Sequence, residues 1–411
     1  MIDLAVIGGG AAGFFAAINA KLKHPGLQVV IYEKSKSVLS KVRVSGGGRC
    51  NVTHACFDNR VLSTYYPRGS RELISVFQRF GPKDTIKWFE SRGVVLKAEA
   101  DGRIFPVSDD SQTIIDCFMS ACRELSIPIL TGHSVSAIRK PAHFELDING
   151  ETIQARNVLA APGSSPAFWQ LLADLGHTIV EPVPSLFTFN IDHPFLADLM
   201  GLSMQNATVQ LDADKSLLKT HRLNAADLTQ SGPLLITHWG LSGPAILKLS
   251  SIAARLLNSV QYRFEILLNL SNLKTEDAFI HLLKVKAEHP KKQVVNTPLF
   301  GIPQRWWQRI HSLTFDSTFN TWSDVSKKDL QKLAEHLTAF RLPVDGKSTF
   351  KEEFVTAGGV DLKAVDFKRM ESKIIPGLFF AGEVLNIDAL TGGFNFQAAW
   401  SEAWVISESI N

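Results

Sequence analysis

The chain has 411 residues, enough for two or three domains, and 45% of them are hydrophobic against 20% charged, the balance of a globular protein with a large core. A formal charge of +3 is too small to announce a polyanion partner by itself, and no apolar run reaches the roughly eighteen residues of a membrane helix. Four scattered cysteines and an N-terminus without a basic leader argue against a secreted disulfide framework, so we expect a cytoplasmic protein.

The first 35 residues read as strand, glycine turn, helix and strand. Leu4 to Ile7 is a short apolar run of the kind that suits a parallel strand buried on both faces. Gly8, Gly10 and Gly13 form G-x-G-x-x-G, and Ala11, Ala12, Ala16 and Ala17 let the next helix lie close to the sheet. In such a motif the first glycine makes the tight turn, the second admits a pyrophosphate and the third permits close packing of the helix. The N-terminal amides of that helix then face the phosphates. A second strand, Gln28 to Tyr32, ends in Glu33, an acid placed to accept hydrogen bonds from a ribose. A dinucleotide is therefore expected here.

"VSGGGRCNVTH", Val44 to His54, follows. Three successive glycines cost backbone entropy, which points to something approaching the backbone closely. Further on, Cys117 and Cys122 have the C-x4-C spacing of redox pairs. They lie in a helix-like stretch, on different faces, with no glycine turn beside them, so the redox reading fails.

From Pro182 the pattern changes. Leu186–Ile191, Ala207–Leu211 and Tyr262–Leu268 read as strands, and "THWGLSGPAILKLSSIAARLL" as a strand end turning into a helix at Gly243-Pro244. Lys274 to Arg341 is helical in pattern and holds eleven Lys and Arg against seven Asp and Glu, more than the whole chain's excess. Arg305, Trp306, Trp307 and Arg309 fall within one turn. This segment is either an RNA-docking face, with cations on phosphates and an aromatic on a base, or a solvated basic surface with tryptophans in a small core. No second G-x-G-x-x-G stands in the middle of the chain, so any NAD(P)H donor must bind transiently, without its own Rossmann unit.

Near the C-terminus, Leu378 to Ala381 reads as another buried strand, followed by Gly382 and Glu383. Gly392 and Gly393 then precede a helix starting near Asn395. Two strand–glycine–helix units call for a ligand long enough to reach both, and FAD has that length. Amides near Phe394 suit negative charge on a reduced flavin ring.

The segments "KVRVSGGGRCNVTH", "THWGLSGPAI", "VTAGGVDLKAV" and "RMESKIIPGLFFAGEVLNIDALTGGFNFQAAW" resemble the signatures of a bacterial family of FAD-dependent oxidoreductases. That family is known as aminoacetone-oxidase-like and as flavin-dependent ribosomal RNA dihydrouridine synthases, and the resemblance covers nearly the whole chain. It implies an α/β fold with a glutathione-reductase-type Rossmann FAD domain that is discontinuous, an inserted β-rich domain and a small helical domain. On this chain the parts are expected at 1–185, 186–273 and 274–341, with 342–411 returning to the first two. The resemblance places Ser45, Gly46, Gly47, Gly48, Arg49 and Asn51 against the flavin and Lys41 beside the cofactor. It places Glu33, Lys34 and Val135 around the adenosine half. Ala161, Pro162 and Gly163 stand where the family has T-G-G, and Gly382, Glu383, Gly393, Phe394 and Asn395 match its ribityl and isoalloxazine contacts. The sequence departs from the family at Ala161 and Pro162, and it lacks the glycine-rich G-x-T-G-D-G stretch after Ser164–Pro166.

Reduction of a polarised C=C bond by a flavin needs a proton donor for the second carbon. Cys50, with Arg49 positioned to lower its pKa, His54 and His238 are the candidates, each with a plain packing role as the alternative. No metal-ligand spacing and no G-x-S-x-G elbow appear. Three functions stay open: a reductase of uridine in large-subunit ribosomal RNA, an O2-dependent oxidase of a small aminoketone, and a flavoprotein that binds RNA without turnover.

Overall fold

The computed structural model describes residues 1–315, 321–348 and 355–410; parts of the expected helical segment (316–320) and of the closing segment (349–354 and 411) lie outside these. The chain divides into two compact units, Met1–Val183 with Lys351–Asn411, and Pro184–Phe350.

The first unit is built on β1 (Ile2–Ile7), α1 (Ala11–Lys23), β2 (Val29–Glu33), α2 (Ser40–Gly48), β3 (Ile129–Thr131), β4 (Glu151–Ala160), β5 (Leu378–Phe380) and α3 (Phe394–Ser409). Its central strands run parallel in the order β3–β2–β1–β4–β5, with Ile7 paired to both Tyr32 and Ala160, and Phe380 to Ala160. Burial on both faces explains why Leu4, Ala5 and Val6 are all apolar, each of them fully buried. The expected α/β architecture with a Rossmann-type domain is present. The strand order reverses between β1 and β4, and in such sheets ligands bind at the carboxyl ends beside that reversal.

Gly13 brings α1 onto the sheet, because a Cβ there would stand 2.1 Å from the Gly8 carbonyl oxygen. On its other side α1 meets α3, with Phe15 and Trp400 rings 5.3 Å apart. The glycine stretch that reads as a loop forms the end of α2, kinked where Ser45, Gly46 and Gly47 leave helical geometry.

The second unit holds a seven-stranded antiparallel sheet. Its order is Phe340–Asp345, Arg263–Asn269, Ser203–Asp212, Thr229–Ile236, Gly240–Ser242, Thr188–Asn190 and Lys347–Ser348. The strand expected over Leu186–Ile191 is shorter because Leu186 has φ +57°, outside strand geometry. Helices Pro244–Ile252, Thr275–Glu288, Gln304–Thr314 and Lys327–Thr338 share one apolar core with this sheet, running from Phe187 to Val344. Among the described residues no helix is long and apolar enough to cross a membrane.

Candidate functional site

The carboxyl ends of β1, β2, β4 and β5 carry Gly8, Glu33, Ala161 and Gly382, so the fold gathers four expected cofactor positions along one edge. The glycines divide the work as their geometry requires. Gly8 has φ +113°, and a Cβ on it would lie 2.1 Å from the Ala161 carbonyl oxygen; no other residue fits. A Cβ on Gly10 would meet nothing within 4 Å. That open volume lies at the N-terminus of α1, where the amides of Ala11, Ala12 and Gly13 precede the first helical hydrogen bond, Phe14 N–H to Gly10 O. Open space, unpaired amides and a positive dipole end together suit a pyrophosphate.

Glu33 stands on the side expected for the adenosine half. Its carboxylate accepts from the Gly9 N–H at 2.7 Å and from the Ser35 N–H and hydroxyl at 2.8 and 2.6 Å, which fixes its orientation. Its carbonyl accepts the His133 N–H at 2.8 Å, bringing the start of strand Val135–Arg139 alongside, while Lys34 is exposed beside it. At the other end Lys41 pairs with Glu383. Gly163 (φ +67°) faces the same carboxylate, since a Cβ on it would stand 4.0 Å from Glu383 Oε2. The Ala161-Pro162-Gly163 turn thus lies between Gly8 and Glu383 despite its departure from the family pattern.

The triple glycine is joined to α3. Gly46, Gly47 and Gly48 all have positive φ, and a Cβ on Gly47 or Gly48 would meet nothing, so this backbone presents a bare surface. Just beyond it, Asn51, Val52 and Thr53 are each tied to α3 or to the glycine that precedes it. With the Asn51 amide turned to satisfy both its sides, its oxygen accepts the Gly393 N–H at 2.9 Å and its NH2 donates to Thr53 O at 3.0 Å. Val52 O accepts the Trp400 indole N–H at 3.0 Å, and the Thr53 hydroxyl donates to Gln397 Oε1 at 2.5 Å. Asn395 folds back on the preceding loop, accepting the Ala389 N–H at 3.0 Å.

Phe394 is 2% exposed, with Tyr65 stacked on it at 4.2 Å and His54 at 4.7 Å. What it offers a cofactor is therefore its backbone amide, not its ring.

The three candidate proton donors lie in different surroundings. Cys50 is fully buried, turned into the core by φ +59°, and burial pushes its thiol up to about 12. Arg49 does not reach across to activate it. The guanidinium lies over the Phe105 ring at 3.9 Å and donates to Glu99 at 2.6 Å, with Asp109 at 3.3 Å. A thiol buried in this way fits the packing alternative. His54 is half-buried, which lowers its pKa, and its Nε2 lies 3.1 Å from the Asp101 carbonyl oxygen. A carbonyl partner requires Nε2–H, which leaves Nδ1 as a bare acceptor, buried and without a partner among the described residues. That arrangement does not present a proton. His238 lies in the second unit, exposed, in the turn between Thr229–Ile236 and Gly240–Ser242.

Base stacking by Trp306 and Trp307 is also corrected. Both are buried, and the Trp307 indole donates to Val294 O at 2.7 Å. Arg305 donates to the carbonyl of Asp198, and Arg309 to those of Pro194 and Ala197. These guanidinium groups cap a loop of their own unit, so the alternative reading, tryptophans in a core, is the one the packing supports.

Glu402 was not among the expected site residues. This α3 carboxyl is fully buried, its Oε2 accepts the Gly382 N–H at 2.6 Å, and its Oε1 has no partner among the described residues. Burial raises its pKa to about 8, against the lowering effect of that hydrogen bond. An acid within the otherwise apolar stretch "AAWSEAWVIS" was the available signal. No group of three or more acids, histidines and cysteines able to hold a metal occurs among the described residues.

A family model described as "HI0933-like protein Rossmann domain" matches residues 2–409. The chain is 27% identical over 422 residues to "Ribosomal RNA dihydrouridine synthase" of Escherichia coli (strain K12), covering 99% of this chain and 98% of that protein. It is also 27% identical over 418 residues to "3-dehydro-bile acid delta(4,6)-reductase" of Clostridium scindens (strain ATCC 35704 / DSM 5676 / VPI 13733 / 19), covering 98% of each. Among solved structures it is similar to a 3-ketosteroid-delta4-(5alpha)-dehydrogenase from Rhodococcus jostii RHA1, at 12% identity and a TM-score of 0.49 over 99% of this chain and 96% of that one. With the family model matched over residues 2–409, the chain belongs to the HI0933-like Rossmann family of FAD-dependent oxidoreductases.

Proposed function

We propose that the protein reduces a polarised carbon–carbon double bond, and that its substrate is a uridine of large-subunit ribosomal RNA, converted to dihydrouridine. The observation that carries this reading is the end-to-end similarity to the Escherichia coli protein of that name, 27% over 99% of this chain. The uneven charge supports it. Residues 184–350 hold eighteen Lys and Arg against fourteen Asp and Glu, whereas the chain as a whole has 43 against 40. Phosphates are drawn to such an excess.

FAD, when reduced, supplies a hydride to one carbon of the double bond, and the other carbon takes a proton. The chain's residues bind and orient. The α1 amides and the space at Gly10 take the pyrophosphate, and Glu33 takes the ribose. Lys41 and Glu383 flank the ribityl chain, while α3 directs its amides at developing negative charge. The reducing equivalents come from a nicotinamide dinucleotide that meets the flavin without a cradle of its own, since the second unit's seven-stranded sheet is antiparallel throughout.

A second reading, reduction of a small-molecule enone, is favoured by the equal identity to the Clostridium scindens reductase. Anaerobic stopped-flow mixing of the reduced enzyme separates the two. Reoxidation by a uridine-containing ribosomal RNA fragment supports the RNA reading, and reoxidation by a 3-oxo enone alone supports the other. Rapid reoxidation by O2, with neither acceptor effective, moves the protein to the oxidase class.

A further inference from the structure

We propose that Trp239 is the platform on which the second unit stacks an unpaired base of its RNA. The proposal rests on the RNA reading above and goes beyond it by naming the recognising group. Of the eight tryptophans only Trp239 is exposed, at 55%; six are buried and Trp404 is intermediate. A single exposed aromatic is ordinary by itself; this one is set apart by how its backbone is held.

The ring is held out by a rigid turn. Thr237 N–H donates to Gly240 O at 2.8 Å, and the Trp239 N–H donates to the Thr237 hydroxyl at 3.3 Å. The Trp239 carbonyl accepts the Ile191 N–H at 2.9 Å. Gly240 (φ +144°) lies against the neighbouring strand so closely that a Cβ on it would stand 2.3 Å from Phe189 O. Backbone fixed on both sides and a side chain with two torsions lose little entropy on binding, as recognition aromatics require.

His238 approaches at 5.1 Å with its ring at 84°, so it takes at most one face of the indole. The remaining face offers a flat π-surface flanked by the polar Thr237 and His238, and base stacking on such a surface is tolerant of sequence. The same unit carries the chain's positive excess, all of it within residues 274–341, and that segment holds phosphates further along the strand rather than beside the stacked base.

The test is titration of the FAD-loaded enzyme with a short single-stranded RNA containing uridine, followed by affinity and by intrinsic tryptophan fluorescence. Trp239→Ala is expected to weaken binding about ten- to a hundredfold, the usual effect of losing one stacked base. Trp239→Phe should stay within about threefold of wild type while losing the quenching that the RNA causes, and FAD retention should be unchanged in both. Wild-type affinity in Trp239→Ala, or quenching that persists in Trp239→Phe, overturns the proposal and leaves the RNA reading standing. If the wild-type enzyme binds no RNA at all, the RNA reading fails and the platform falls with it.

Discussion

The side-chain oxygen of Asn51 accepts the N–H of Gly393 at 2.9 Å, joining the triple-glycine segment to the start of α3 across 342 positions of sequence. A Cβ on Gly393 would stand 2.7 Å from the other end of the same amide and 2.7 Å from the Thr53 carbonyl oxygen, so the packing also fixes the residue type. Two segments that the sequence separately leads one to expect at the cofactor are one construction. Asn51→Ala removes the acceptor and leaves a nearly buried amide N–H without its partner, at a cost of about 1–3 kcal/mol. We expect this variant to fold, by circular dichroism, but to release FAD more readily than wild type on dilution, measured by the recovery of free-flavin fluorescence.

The three motif glycines differ in what they tolerate. Gly10→Val places its side chain in open space, so the protein should fold with native circular dichroism and carry no FAD. Gly13→Ala should lose fold stability itself, because its Cβ meets the backbone oxygen of Gly8 at 2.1 Å. Flavin occupancy close to wild type in Gly10→Val would show that the phosphates lie elsewhere.

Glu402 makes stability depend on pH with a defined sign. Its carboxyl has an ordinary value of 4.5, and in the fold it titrates at about 8. Between those values the folded chain holds a proton that the unfolded chain releases, so Glu402 makes stability fall as pH rises from about 4.5 to about 8. The whole effect is on the order of a few kcal/mol. Glu402→Gln cannot ionise, and its melting temperature should decline less steeply over that window. Parallel wild-type and variant curves would show that the carboxyl is not held neutral.

Cys50→Ser should leave reoxidation of the reduced flavin by substrate within about twofold of wild type, well short of the 10²–10⁴ that loss of a general acid costs. A slowdown of a hundredfold or more would restore Cys50 as the proton donor.

The glycine chemistry was legible in the sequence because it is backbone chemistry. The roles of Gly8, Gly10 and Gly13 follow from where a Cβ fits, and the order of strand, turn and helix announced them before any coordinate did. The direction of side chains was not legible. Nothing in the residue types says that Cys50 turns inward, since its orientation depends on its own positive φ of +59°. Trp306 and Trp307 read equally as surface or core until Thr275–Glu288 and Lys327–Thr338 join them in one core. Glu402 has no partner beside it in sequence, since the Gly382 N–H that it accepts lies twenty residues away.

The central claim is that this FAD-dependent oxidoreductase makes dihydrouridine in ribosomal RNA, and nucleoside mass spectrometry of large-subunit RNA tests it most directly. RNA from a strain lacking the gene should have lost dihydrouridine at one or more positions. Wild-type protein with a nicotinamide donor should restore it in vitro, and Gly10→Val should not. Unchanged dihydrouridine in the deletion strain, with no formation in vitro, would contradict the account.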